Sequence, residues 1–162
     1  MRIKLLFFIA LLLSVSLLAA DNLPRNSQNM AASNTELYAY RFIVELYELG
    51  DPLNLAKEIV AFKSNFPDSR YLPYIRYIEA NLALDNGELP KAQEIYESLL
   101  KENLSQEILG ELLLNYALSK AKTGDPAAAL ILLQRVDSEI ADPELSKLAN
   151  LQRGDIYFNT GQ

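Results

Sequence analysis

Over residues 90–103 the apolar side chains Ala92, Ile95, Tyr96, Leu99 and Leu100 fall at i, i+3, i+4, i+7 and i+8, with Lys91, Glu94, Glu97 and Lys101 on the other side. That spacing predicts an amphipathic helix with one buried face. The same period recurs and predicts helices at 34–49, 52–65, 70–86, 90–103, 106–123, 126–140 and 143–160. Pro73 moves the start of the third toward Leu72, because it lacks a backbone donor. No segment sustains a period of two, so no sheet is expected. Residues 21–32, with Pro24 and several Asn and Ser, have no apolar period and read as a flexible linker. Ser33 followed by Glu36 forms a capping-box pattern, which places the start of the folded part, 33–162, at Ser33.

Breaks between the helices are evenly spaced. Gly50, Gly87, Gly124 and Gly161 stand thirty-seven residues apart, and they are four of the six glycines in the chain. Each of the first three leads into an acidic residue and a proline: Gly50-Asp51-Pro52, Gly87-Glu88-Leu89-Pro90 and Gly124-Asp125-Pro126. Glycine ends one helix in the left-handed conformation, Asp51 and Asp125 cap the next, and proline fits its first turn, where no donor is lost. A fixed period in this range predicts stacked helical hairpins.

Seven residues before the four glycines stand Ile43, Ala80, Ala117 and Gly154, and five after the first three stand Leu55, Ala92 and Ala129. Small residues there are expected to let paired helices approach closely. With Gly154-Asp155-Ile156-Tyr157-Phe158, Gly161-Gln162, the pairing of Gly87 with Ala92 and Tyr96, Gly124 with Ala129, and Pro67, the chain resembles the tetratricopeptide repeat. Its period is longer than the usual thirty-four of that family. Glu79 and Arg153 replace preferred apolar residues, Leu104 and Ala141 replace the inter-repeat proline, and the bulky Ile43 and Leu55 suit a divergent capping unit. Sel1-like repeats have a similar period. Phe66-Pro67-Asp68-Ser69 ahead of a Tyr-rich helix also resembles exported repeat proteins that assemble bacterial envelopes.

The tetratricopeptide resemblance implies an all-α, right-handed α-solenoid of about 3.5 repeats, its concave face lined by the first helix of each pair. Carried over by position, that face comprises Leu37, Tyr40, Val44 and Tyr47, then Tyr74, Tyr77, Asn81 and Leu84. Tyrosines there suit a peptide or helix partner, though the same spacing also suits tyrosines packed between helices.

Composition narrows the chemistry. The 162 residues contain no His and no Cys, which removes thiolate and imidazole catalysis, disulfides and Cys/His zinc sites. No Gly-rich phosphate loop or metal-ligand cluster is found, so neither cofactor nor metal is expected. The net charge of −6 and a pI near 4.7, without a Lys/Arg cluster, argue against nucleic acid as a partner. Two carboxylate pairs, Glu45 with Glu48 and Glu107 with Glu111, share helix faces and read as solvated charges, leaving no catalytic residue.

Arg2 and Lys4, the uncharged run 5–18, and Ala19-Ala20 have the form of a signal peptide at 1–20, too short for a membrane span. Cleavage removes two positive charges and no acid, taking −6 to −8. The expected location is the periplasm or cell envelope. The sequence stops at Gly161-Gln162, where earlier units turn into a second helix, and so reads as part of a longer protein. Two functions follow as expectations: a non-enzymatic scaffold that binds a protein or peptide, or the helical arm of an exported enzyme whose catalytic domain lies beyond residue 162.

Overall fold

The computed structural model describes residues 27–161, with side chains from Asn34 onward. The expected signal peptide and linker residues 21–26 lie outside the described residues. Those described are all-helical, with no strand: α1 (Ser27–Leu49), α2 (Pro52–Asn65), α3 (Leu72–Asp85), α4 (Leu89–Leu99), α5 (Gln106–Lys122), α6 (Pro126–Glu139) and α7 (Pro143–Thr160). Helix α1 starts seven residues before the expected Asn34 and takes up residues 27–32 of the segment read as linker. Ser33 therefore lies inside a helix and does not cap one, and Glu36 instead accepts a hydrogen bond from Ser69 Oγ. Helix α4 stops four residues short of Asn103, its end tightening into the i→i−3 bonds Lys101 N–H to Ser98 O and Glu102 N–H to Leu99 O.

Gly50, Gly87 and Gly124 sit at the corners between helices, and Gly161 ends α7. All four have positive φ, between 70° and 79°. At Gly87 the amide donates to Leu84 O (3.2 Å) and the next amide, Glu88, donates back to Ala83 O (2.8 Å). This is the two-bond Schellman closure, which needs a left-handed residue. The same pair of bonds closes α1, through Gly50 to Tyr47 and Asp51 to Leu46, and α5, through Gly124 to Ala121 and Asp125 to Lys120. Asp51 then caps α2 by accepting from Asn54 N–H, and Asp125 caps α6 by accepting from Ala128 N–H. Glu88 makes no such cap and pairs with Lys91. Asp142 caps α7 with two amides, Glu144 and Leu145.

Two compact units divide the chain at Ser69/Arg70. In the first, α1 packs on α2. Ile43, Leu55, Ile59 and Phe62 are almost fully enclosed, and Phe62 and Phe66 bring their rings to 5.0 Å. The hairpin thus meets through Ile43 and Leu55, large side chains where the later pairs use alanine.

In the second unit consecutive helices pack pairwise from α3 to α7, and α5 also touches α3 and α7. Its central place shows in its composition. Ile108, Leu112, Leu113, Leu114, Tyr116 and Ala117 are buried on several sides of α5, as expected of a helix surrounded by others. Ala80, Ala92, Ala117 and Ala129 are all fully buried, as close approach of paired helices requires. Gly154 departs from that expectation, since it is exposed and a Cβ there would meet nothing within 4 Å. The close approach falls instead at Gly110, outside the thirty-seven-residue series, where a Cβ would come within 2.5 Å of Leu145 Cδ1 and 3.3 Å of Ile140 Cγ2.

Candidate functional site

The eight residues expected to line a concave face divide between the two units, four in each. In the first unit Tyr40 and Val44 are buried while Leu37 and Tyr47 are partly exposed. In the second, Tyr77, Asn81 and Leu84 are buried and Tyr74 is partly exposed. Five of the eight are therefore enclosed, and a side chain enclosed on folding has no area left to offer a partner. Tyr40 and Tyr77 take the packed role that their spacing equally allowed.

Tyr77 and Asn81 nevertheless lead to a polar site in the second unit. They lie one turn apart on α3. Glu111 and Asn115 lie one turn apart on α5, and Tyr96 projects from α4. Tyr96 O–H donates to Asn81 Oδ1 (2.6 Å), and Asn115 Nδ2 donates both to Asn81 Oδ1 (3.1 Å) and to Tyr77 Oη (3.0 Å). Tyr77 O–H in turn donates to Glu111 Oε2 (3.0 Å). The bonds tie three helices together: Asn81 Oδ1 accepts from both Tyr96 and Asn115, and Asn115 also donates to Tyr77, which passes its own hydrogen to the carboxylate. Tyr96 is fully enclosed and Asn81 nearly so, while Glu111 and Asn115 are half-buried and form the outer edge. Buried polar atoms are costly unless bonded, so this network fixes the register of α3 against α5.

Glu111 is the unusual member. Burial pushes its carboxyl up to about 7, against the opposing effect of the Tyr77 hydrogen bond. It takes part in no ion pair among the described residues. Its sequence neighbour in the expected carboxylate pair, Glu107, is exposed, so the two glutamates do not share an environment and Glu111 is not the solvated charge expected of it. Arg76 bonds Glu102 and Ser98, Lys120 lies over the Tyr116 ring, 5.2 Å from its centroid, and neither is bonded to Glu111.

This arrangement can hold or release one proton near neutral pH and can accept hydrogen bonds at its outer edge. Among the described residues no group of three or more His, Cys, Asp or Glu is placed to hold a metal ion. No helix among them is long and apolar enough to cross a membrane.

Sequence pattern reads Tyr96 as part of an apolar helix face and Glu111 as a solvated charge, and it does not single out Asn115. A signal was present for Glu111: it stands thirty-seven residues after Tyr74 and seventy-four after Leu37, a charge in a register otherwise apolar or aromatic. Asn115 directly follows Leu112-Leu113-Leu114, an apolar run that announces a buried helix.

No protein-family model matches the chain, and no curated protein gives a match.

Proposed function

We propose that this protein is a non-enzymatic interaction scaffold of the exported envelope type, a tetratricopeptide-like right-handed solenoid of about 3.5 repeats that binds a protein or peptide. The observation that carries this reading is the repeated corner. Three successive helix pairs close with the same two-bond glycine turn, and in the second unit α5 touches both the preceding first helix α3 and the following first helix α7. Such stacking leaves first helices side by side, and their shared face is where a peptide lies in this architecture. On this reading the face includes Glu111 and Asn115, the half-buried members of the polar site, and the partly exposed Tyr74, which stands one thirty-seven-residue period before Glu111.

Site-specific photocrosslinking tests this reading. A photoreactive phenylalanine analogue at Tyr74, on α3, is expected to capture a partner in cells of the source organism. The same analogue at Ile131, exposed on the second helix α6, is expected not to. Equal capture at both positions, or capture at Ile131 alone, would count against the binding face. Amino-terminal sequencing of the protein recovered from the envelope tests export, and a mature chain beginning within two residues of Asp21 is the expected result.

A further inference from the structure

The polar site between α3 and α5 is asymmetric in what it leaves unused. Both hydrogens of Asn115 Nδ2 are committed, one to Tyr77 and one to Asn81, and the Tyr77 and Tyr96 hydroxyl hydrogens go to Glu111 and Asn81. The outer edge keeps acceptors. Glu111 Oε1 and Asn115 Oδ1 receive no hydrogen bond from any described residue, and the two side chains stand one helical turn apart on α5. A half-buried carboxylate without a cation is the unfavourable half of an ion pair, because charge removed from water needs a partner of opposite sign. No cation among the described residues supplies it, and the overall charge of −6 favours the approach of a positive group.

We propose that Glu111 and Asn115 form a recognition site for a cationic side chain, a guanidinium or alkylammonium, carried by the peptide partner. The inference rests on the scaffold reading and adds the chemistry of what the face selects. Tyr77 and Asn81 act as positioning residues: they aim the carboxylate and the amide, and they use up the donors that would otherwise attract an anion. A cation arriving at Glu111 replaces lost hydration with a charge-assisted hydrogen bond. It also draws the carboxyl toward its ionised form, so binding and proton release are coupled.

The test follows the Glu111 carboxyl by carbon-detected NMR in the full chain, with N-acetyl-arginine amide and N-acetyl-lysine amide as probes and N-acetyl-citrulline amide as the neutral control. The cationic probes are expected to lower the Glu111 titration midpoint by about one unit, the low end of the effect of an adjacent opposite charge. Exposed Glu107 and Glu94 should hardly move, and citrulline should leave Glu111 unchanged. In Glu111→Gln, which keeps shape and folding but not charge, the probes should no longer perturb the Asn115 side-chain amide. No change at Glu111 up to the solubility limit of the cationic probes, or an equal change with citrulline, overturns the proposal. Capture from envelope extract separates this from the parent reading. A partner held equally by wild type and Glu111→Gln refutes cation recognition and leaves the scaffold standing. Failure of the wild type to capture any partner counts against the scaffold, and the NMR result decides the cation site on its own.

Discussion

Tyr77 on α3 donates its phenolic hydrogen to Glu111 on α5 across 3.0 Å, and Asn115, one turn further along α5, donates to the same phenolic oxygen. One hydroxyl thus links two first helices that are thirty-four residues apart in sequence. The bond is also the one interaction that favours the ionised form of Glu111 against the burial that disfavours it.

Stability should depend on pH through this residue. Glu111 has an ordinary value of 4.5 that rises to about 7 in the fold, so the folded state holds a proton that the unfolded state has already released. Its contribution is fully present below about 4.5, declines as pH rises, and is lost above about 7. The loss should be on the order of 1 to 3 kcal/mol. Glu111→Gln should flatten this part of the profile and raise the melting temperature at pH 8. Tyr77→Phe should push the Glu111 midpoint higher still, and at pH 8 should cost about 1 to 2 kcal/mol, since two hydrogen bonds lose a partner. Urea denaturation from pH 4 to 8 measures both, and parallel profiles for wild type and Glu111→Gln would refute the assignment.

Gly87→Val should lower stability by roughly 1 kcal/mol or more through backbone strain alone. The position has φ of 77°, and a Cβ there would meet nothing within 4 Å. Gly87→Asn, a residue that tolerates this conformation, should recover part of the loss. An unchanged melting temperature for Gly87→Val would remove the strain argument.

Gly110 and Gly154 should respond in opposite directions. Both are inside helices, but Gly154 has open space where a Cβ would stand, so Gly154→Ala should gain about 0.5 to 1 kcal/mol from helix propensity. Gly110→Val should instead lose about 1 to 3 kcal/mol, because its side chain would run into Leu145 and Ile140. Thermal melts of the two variants decide the matter, and a stabilised Gly110→Val would show that α5 and α7 are not held at this distance.

Ser119 is fully buried on α5, and its Oγ has no hydrogen-bond partner among the described residues. Ser119→Ala removes that unmet hydroxyl at little change in volume, and should be neutral or stabilising by about 1 kcal/mol. A loss of more than about 1 kcal/mol on chemical denaturation would mean that the hydroxyl is bonded in solution.

Much of the local structure is written in neighbouring residues. The all-helical class of the described residues, the left-handed helix ends at the four glycines and the aspartate caps at Asp51 and Asp125 follow from conformational rules acting within five or six residues, and they stand where the pattern puts them. Pattern was a poorer guide where a boundary lacks strong punctuation. Helix α1 runs back through Ser33, because a capping-box sequence does not stop a helix when the residues before it also tolerate one. Helix α4 gives up its last turn although its amphipathic period continues to Leu100.

Side-chain environment divides differently. Periodicity placed Tyr77 and Asn81 on one face of α3 but left open whether that face met solvent or another helix. It gave Glu107 and Glu111 the same character, being one turn apart on one helix. What separates them is the neighbour: Glu111 lies beside Tyr77 of α3, while Glu107 lies in solvent. Where the chain bends and which stretches coil can be read from the residues alone, since those choices rest on φ preferences and hydrogen bonds between residues close in the chain. Which polar groups leave water together is set by how the helices pack, because desolvation depends on atoms brought in from helices dozens of residues away.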